Sequence, residues 1–305
     1  MARKEKNCVV LGGGGARGLS HLGILQVLER ERFPIHCLVG TSVGAVVGAI
    51  YALDPDAVGM TQRSLAYFKS ESFRNDTFKK VLLKSEGAGS NVFKNVLTGI
   101  RKSYVFSNLL RKPSIFPAKN LKAVIDELVP DKEFADTEIP FAVPALDILS
   151  GREVLLTEGS LRKAVLASCS LPGFFPPVEM DGTLLADAGV IGPVPVNAAA
   201  HFEPRVVLAV DITSQIDERP PITRGLDAIL RVEAIAGKRL NDIELANADL
   251  VIRPDVGEKY WSDFSDLEGL VNEGVVAAEK VIPELRELKQ RSRFRFWRAR
   301  WKTRV

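Results

Sequence analysis

Short apolar runs alternate with longer amphipathic stretches along most of this chain. Asn7–Leu11 (NCVVL) is apolar enough to be a buried strand, and Leu19, Leu22, Leu25, Val27 and Leu28 then recur at helical spacing up to the charged stretch 29–32. A second strand is expected over Ile35–Val39. Strand, helix and strand in this order form a βαβ unit, which predicts a parallel pair with a right-handed connection. Further on, strands are expected at 141–149, 153–157, 184–186, 205–211 and 249–253, and helices at 121–128, 161–166 and 267–278. Ser150-Gly151 and Asp181-Gly182 read as hairpin turns. Strands recur over the whole length, which favours one α/β domain: a three-layer α/β/α sandwich around a mainly parallel sheet.

The most informative stretch is Leu38–Leu53 (LVGTSVGAVVGAIYAL). It reads as a strand, a sharp turn and a buried helix, with Ser42 at the apex of Gly40-Thr41-Ser42-Val43-Gly44. That pattern is a nucleophile-elbow candidate. A side chain at Gly40 or Gly44 would crowd the strand–helix approach, and the helix behind would aim its positive end at Ser42. Residues 33–53 carry no charge and approach the length of a membrane span, but Pro34 and the glycines interrupt the run and no comparable segment exists. A span is therefore not expected.

A glycine loop, Gly12-Gly13-Gly14-Gly15-Ala16-Arg17-Gly18, follows the first strand. Its Gly13-x-Gly15-x-x-Gly18 spacing matches a dinucleotide fingerprint, yet the second strand ends in Gly40-Thr41-Ser42 and lacks the acidic residue that would hold a ribose. No cofactor is expected. Successive backbone N–H groups at a helix start can instead bind an anion, including the oxyanion of an acyl-transfer intermediate. A serine nucleophile needs a base. After Ser42 the chain has a single histidine, His201, at the end of a helix ahead of a strand, where a surface position fits best. The base should then be a carboxylate. Asp187 is the strongest candidate, because Ala188-Gly189 leaves room for close approach; Asp147, Asp211 and Asp249 compete but read as strand-end or turn carboxylates.

Composition adds two facts. The 305 residues, 46% hydrophobic and 26% charged, suit an ordinary globular protein with a sizeable core. Cys8, Cys37 and Cys169 have no paired spacing, and His21, His36 and His201 are scattered, so neither disulfides nor a metal site is expected. The first residues, MARKEKN, do not resemble a signal peptide, and a cytoplasmic location follows. The net charge of +3 conceals an uneven distribution. Residues 61–120 hold 12 Lys and Arg against 3 Asp and Glu, and residues 288–305 hold 8 basic residues and no acidic one. The first basic region, with Tyr67, Phe68, Phe73 and Phe78 among its aromatics, suggests a helical insertion over 54–120 that caps the site. The second, residues 286–305, interleaves Arg with Phe294, Phe296, Trp297 and Trp301 and fits an anchor on an anionic membrane surface, giving peripheral association. Nucleic acid is not expected as a partner, because no reading module accompanies the charge. Residues 1–285 would form the single catalytic domain.

Three ordered blocks resemble the patatin-like phospholipase family. Gly12–Gly18 with His21 and Gly23 is similar to its glycine block, and Gly40–Gly44 to its serine block. Ala167-Ser168-Cys169-Ser170-Leu171-Pro172 with Phe175-x-Pro177-Val178 is similar to the third, and Asp187-Ala188-Gly189 stands where its aspartate lies. The resemblance implies a patatin-like fold and a serine lipid acyl hydrolase acting on phospholipid or another fatty-acyl ester at a membrane surface. It implies a Ser42–Asp187 dyad without histidine, an oxyanion hole from the amides of Gly13, Gly14 and Gly15, and a bracing role for Arg17. No metal or cofactor is implied. An acyltransferase or thioesterase with the same dyad, or a catalytically weak lipid-binding protein, are the alternatives. One departure bears on them: the family usually has glycine after the aspartate, and if that position requires φ > 0, Ala188 would be strained.

Overall fold

The alternating apolar residues of the strands sort into two buried layers. Val9, Leu11, Leu38, Phe141, Leu208 and Val210 join one core, while Cys8, Val10, Cys37, Val39, Val207 and Ala209 join a second on the opposite face. The computed structural model describes residues 6–71, 73, 114–213, 222–223, 225–257 and 263–294. Among these, eight strands form one sheet: β1 (Asn7–Leu11), β2 (Cys37–Gly40), β3 (Phe141–Asp147), β4 (Arg152–Leu156), β5 (Val178–Met180), β6 (Thr183–Asp187), β7 (Val206–Val210) and β8 (Leu250–Ile252). The order is β5-β6-β3-β2-β1-β7-β8, with β4 paired to β3 as a hairpin. Strands β3, β2, β1, β7 and β8 are parallel, β4 and β6 run against them, and β5, antiparallel to β6, returns to the common direction. The mainly parallel sandwich expected from the pattern is the observed architecture.

The helices are α1 (Leu19–Arg30), α2 (Val43–Leu53), α3 (Ala57–Lys69), α4 (Ala118–Leu128), α5 (Leu161–Cys169), α6 (Gly225–Leu245), α7 (Leu267–Lys280) and α8 (Ile282–Phe294). Helices α1 and α7 cross at two glycines: a Cβ on Gly23 would lie 2.0 Å from the Val271 carbonyl oxygen, and one on Gly274 would lie 1.9 Å from that of Ser20. Only glycine permits that backbone approach. The uncharged segment 33–53 contains β2 followed by the eleven-residue α2. No helix among the described residues is long and apolar enough to cross a membrane.

Several expectations shift. The helix expected to stop at Leu166 runs on to Cys169, and the second strand begins at Cys37 rather than Ile35. The whole of α6 is an addition to the expected elements: its apolar residues recur at helical spacing, but Ile229, Val232, Leu240 and Ile243 face outward rather than into the core. The boundary placed at residue 285 falls inside α8, where Leu285 and Leu288 are both buried and Arg286 pairs with Glu31 at 3.0 Å. Of the insertion expected over 54–120, α3, Phe73 and α4 are described, while residues 74–113 and the tail from 295 onward lie outside the described residues.

Candidate active site

The site is built where β3 exchanges one neighbour for another. The Leu38 N–H bonds the Pro140 carbonyl, and farther along the same edge of β3 the Ile148 N–H bonds the Leu184 carbonyl at 3.0 Å. Strand β2 therefore occupies the first half of this edge and β6 the second. β2 leaves the sheet at Gly40 to turn into α2, and β6 ends at Asp187, opposite Ala145. The fork between them brings residues 42 and 187 together although they are 145 positions apart.

Pro144 sits in the fork, and a proline has no N–H to leave unsatisfied there. Its carbonyl accepts a 2.8 Å hydrogen bond from the Ser168 hydroxyl, whose oxygen accepts the Ser42 N–H at 3.0 Å. Ser168 is fully buried and thus ties the serine turn to the sheet. Two residues later the Ser170 carbonyl accepts the Asp187 N–H at 3.0 Å. The end of α5 holds both sides of the fork. No local signal in the sequence marks Ser168 for this task, because its partners are 24 and 126 residues away. Ser168→Ala should lower stability by about 1–3 kcal/mol through two lost partners, one of them a buried carbonyl, and should reduce any activity of Ser42. Denaturant unfolding and ester hydrolysis by the same preparation check this.

Ser42 stands at φ 55° and ψ −124°, a strained position for a residue with a side chain. A Cβ on Gly40 would meet the Gly44 carbonyl oxygen at 2.3 Å, and one on Gly44 would meet that of Leu11 at 2.2 Å. The two glycines do what was expected of them.

The Asp187 carboxylate is buried, 4% exposed, and accepts the Gly189 N–H at 2.8 Å, with the Ser42 hydroxyl near enough to favour its charged form. Burial pushes its pKa up to about 6, and the nearby Ser42 hydroxyl and the Gly189 N–H oppose that rise. Ala188 is not strained. It begins a short 3-10 turn, Ala188–Val190, and is not among the non-glycine residues with positive φ. The concern about the family's glycine at this position does not arise.

The competing carboxylates are engaged elsewhere. Asp147 holds the β3–β4 turn through Ser150 and Leu149, Asp211 pairs with Arg253 at 3.2 Å, and Asp249 accepts the Val207 N–H. His201 is exposed. His21 is buried, and one ring nitrogen, Nε2, bonds the Gly12 carbonyl at 2.8 Å. Burial lowers its pKa to about 4, so at neutral pH it is an uncharged prop donating to that carbonyl. Among the described residues no three His, Cys, Asp or Glu side chains gather as a metal site.

The glycine loop faces Ser42 closely enough that a Cβ on Gly13 would lie 3.2 Å from the Ser42 Cβ. One expectation needs correction here. The Gly13 N–H donates to the Pro193 carbonyl at 2.8 Å, so it is not free to receive an oxyanion. The Gly14 and Gly15 N–H groups have no such acceptor among the described residues. Arg17 Nε donates to the Gly14 carbonyl at 3.0 Å. Carbonyl and N–H point in opposite directions across a peptide plane, so this bond turns the Gly15 N–H the other way. Arg17 itself is buried; its pKa falls to about 10, which leaves it charged at neutral pH.

A cavity of about 380 Å³ opens from Ser42, Asp187 and the glycine loop. Its walls are apolar: Val46, Val47 and Ile50 of α2, Met60 and Phe68 of α3, and Leu121, Val124 and Leu128 of α4. The Cys169 thiol also lines it beside Ser42.

A family model described as "Patatin-like phospholipase" matches residues 9–200, more than half of the chain. The chain belongs to this family. Patatin-like phospholipase domain-containing protein 6 of Homo sapiens is 32% identical over 257 residues, 82% of this chain and 16% of that protein. Lysophospholipase NTE1 of Kluyveromyces lactis is 30% identical over 217 residues, covering 71% of this chain and 13% of its own length. The chain thus spans about a sixth or less of these two relatives. Among solved structures, VipD from Legionella pneumophila superposes with a TM-score of 0.50 at 16% identity, covering 93% of this chain and 67% of that one, a likeness of fold alone. The residues matched by the family model include every segment that meets at the fork.

Proposed function

We propose that this patatin-like protein is a serine lipid acyl hydrolase of the phospholipase A or lysophospholipase type, working through Ser42 and Asp187. One observation carries the reading. A hydroxyl raised on a strained turn stands beside a buried carboxylate, next to two glycine amides with no acceptor among the described residues and at the end of an apolar cavity. The relative whose name is lysophospholipase supports the substrate class.

Ionised Asp187 takes the proton from Ser42 Oγ as that oxygen bonds the ester carbonyl carbon. The resulting oxyanion is received by the N–H groups of Gly14 and Gly15, with the N-terminal end of α2 adding positive potential at Ser42. Asp187 then gives its proton to the departing alcohol oxygen, leaving an acyl-serine. In the second half Asp187 takes a proton from water, the hydroxyl oxygen attacks the acyl carbon, and Ser42 recovers its proton as the fatty acid leaves. Every proton is held by Asp187 in turn, so the cycle needs neither histidine nor metal.

The apolar walls fit an acyl chain, and the substrate is met at an anionic membrane surface through the basic, aromatic tail, with the protein peripheral and cytoplasmic. Hydrolysis of lysophosphatidylcholine and of a p-nitrophenyl ester by wild type and Ser42→Ala tests the reading. Wild type should release fatty acid and Ser42→Ala should lose at least about 10³-fold. Full activity in the variant sinks the assignment, and transfer of the acyl group to an added lysolipid in preference to water makes the protein an acyltransferase. In the same assay, removing residues 290–305 should abolish co-sedimentation with anionic vesicles.

A further inference from the structure

Helix α6 buries only part of its surface. Its inner face braces the segment after Asp187: Asn241 Oδ1 accepts the Val194 N–H at 3.2 Å, and the Glu244 carboxylate accepts the backbone and side-chain N–H groups of Asn197. Its outer face is apolar. Ile229 and Val232 are each 66% exposed, Leu240 is 46% exposed and Ile243 64%, with exposed Ala236 between them. Single exposed apolar residues are ordinary, but these five follow one another every three or four residues, forming a stripe about four turns or 21 Å long. A continuous stripe of this kind marks an interaction surface.

The order of residues in the stripe indicates what covers it. Ala236 is its centre. Seven positions to either side stand Ile229 and Ile243, four to either side Val232 and Leu240, and three to either side Glu233 and Arg239. The last two are exposed and have no ion-pair partner among the described residues. A surface that reads alike in both directions, with opposite charges at mirrored positions, complements itself across a two-fold axis.

We propose that α6 is the seat of a homodimer, in which the α6 of a second copy lies antiparallel across a two-fold axis at Ala236. Ile229 then packs on Ile243 of the second copy, Val232 on its Leu240, and Glu233 pairs with its Arg239, each contact occurring twice. The small Ala236 meets itself at the crossing, where close approach of two helix axes requires a short side chain. A lipid surface suits the stripe less well. Anionic lipid favours basic flanks, and here Glu233 and Asp242 stand beside Arg239 and Lys238.

Sedimentation equilibrium of the full chain without detergent, from about 1 to 100 µM because one helix pair is a small interface, tests this. The mass should rise with concentration from 33.4 kDa toward twice that value. Ala236→Glu, which sets two carboxylates against each other on the axis, should leave a monomer with unchanged circular dichroism. Glu233→Arg and Arg239→Glu should each weaken association at least about tenfold, and the double variant should restore it. A wild type that is monomeric throughout, a dimer indifferent to Ala236→Glu, or single variants not rescued by the double one would each overturn the proposal. So would a monomeric wild type that binds phosphatidylglycerol vesicles while Ala236→Glu does not, an outcome that assigns the stripe to the membrane.

Discussion

Asp187→Asn should remove about 10³- to 10⁴-fold of ester hydrolysis and at the same time make the protein more stable above pH 6. Both effects come from one buried carboxylate. Its pKa in the folded protein is about 6, against 3.8 for the free side chain, because burial disfavours the charged form more than the Ser42 hydroxyl and the Gly189 N–H favour it. Between these two values the folded chain keeps a proton that the unfolded chain releases, so stability falls as pH rises through this window. Above it the whole difference is felt, about 3 kcal/mol at 1.36 kcal/mol per unit. An uncharged asparagine of the same shape escapes the cost.

Urea unfolding of both proteins at pH 4 and pH 8 measures this. The variant should gain little at pH 4 and about 1–3 kcal/mol at pH 8, the lower end allowing for burial of the amide. The kcat/KM of wild type should climb with pH through about 6 and level off above it, since the base works only when ionised. A variant no more stable than wild type at pH 8 would show that the carboxylate is not desolvated as described. A flat pH profile from 5 to 8 would remove it as the base.

Gly44→Ala should destabilise the protein by about 3–5 kcal/mol and abolish activity with it. In most helices this change stabilises, since alanine is favoured over glycine by about 1 kcal/mol. Here the added methyl would stand 2.2 Å from the Leu11 carbonyl oxygen and 2.8 Å from that of Gly12. Neither atom can retreat freely: Leu11 ends the central strand, and the Gly12 carbonyl is held by His21. Relief must come from α2 lifting off β1, which moves Ser42 away from Asp187 and from the glycine loop. Gly192→Ala, with open space around the new methyl, serves as the control and should stay within about 0.5 kcal/mol of wild type. Thermal and urea unfolding of the two variants, read beside hydrolysis, separates the clash from a general intolerance of alanine.

Much of the molecule could be read from the chain because it depends on neighbours in sequence. The βαβ start, the serine turn and the glycine loop are contiguous segments in which hydrophobic period and residue size dictate backbone conformation. The aspartate at 187 stands out in the sequence only by elimination and by resemblance, since a single carboxylate carries no local mark of its partner. Two readings failed for the same physical reason. Gly13 looked equivalent to Gly14 and Gly15 until its N–H was found on the Pro193 carbonyl, a partner 180 residues away. Ala188 looked strained only under the assumption that the turn after the aspartate needs a positive φ, whereas β6 delivers the chain there in a 3-10 turn that alanine accepts. Composition and periodicity thus determined the layers and the parallel sheet, and the spacing Gly40-Thr41-Ser42-Val43-Gly44 marked Ser42 as the candidate nucleophile. The tertiary structure alone decided which amides remain free and how Ser168 and Pro144 lock the fork. It also raised the Asp187 pKa and left a symmetric apolar face on α6. Each of these depends on which atoms burial brings together, and burial is a property of the packed chain.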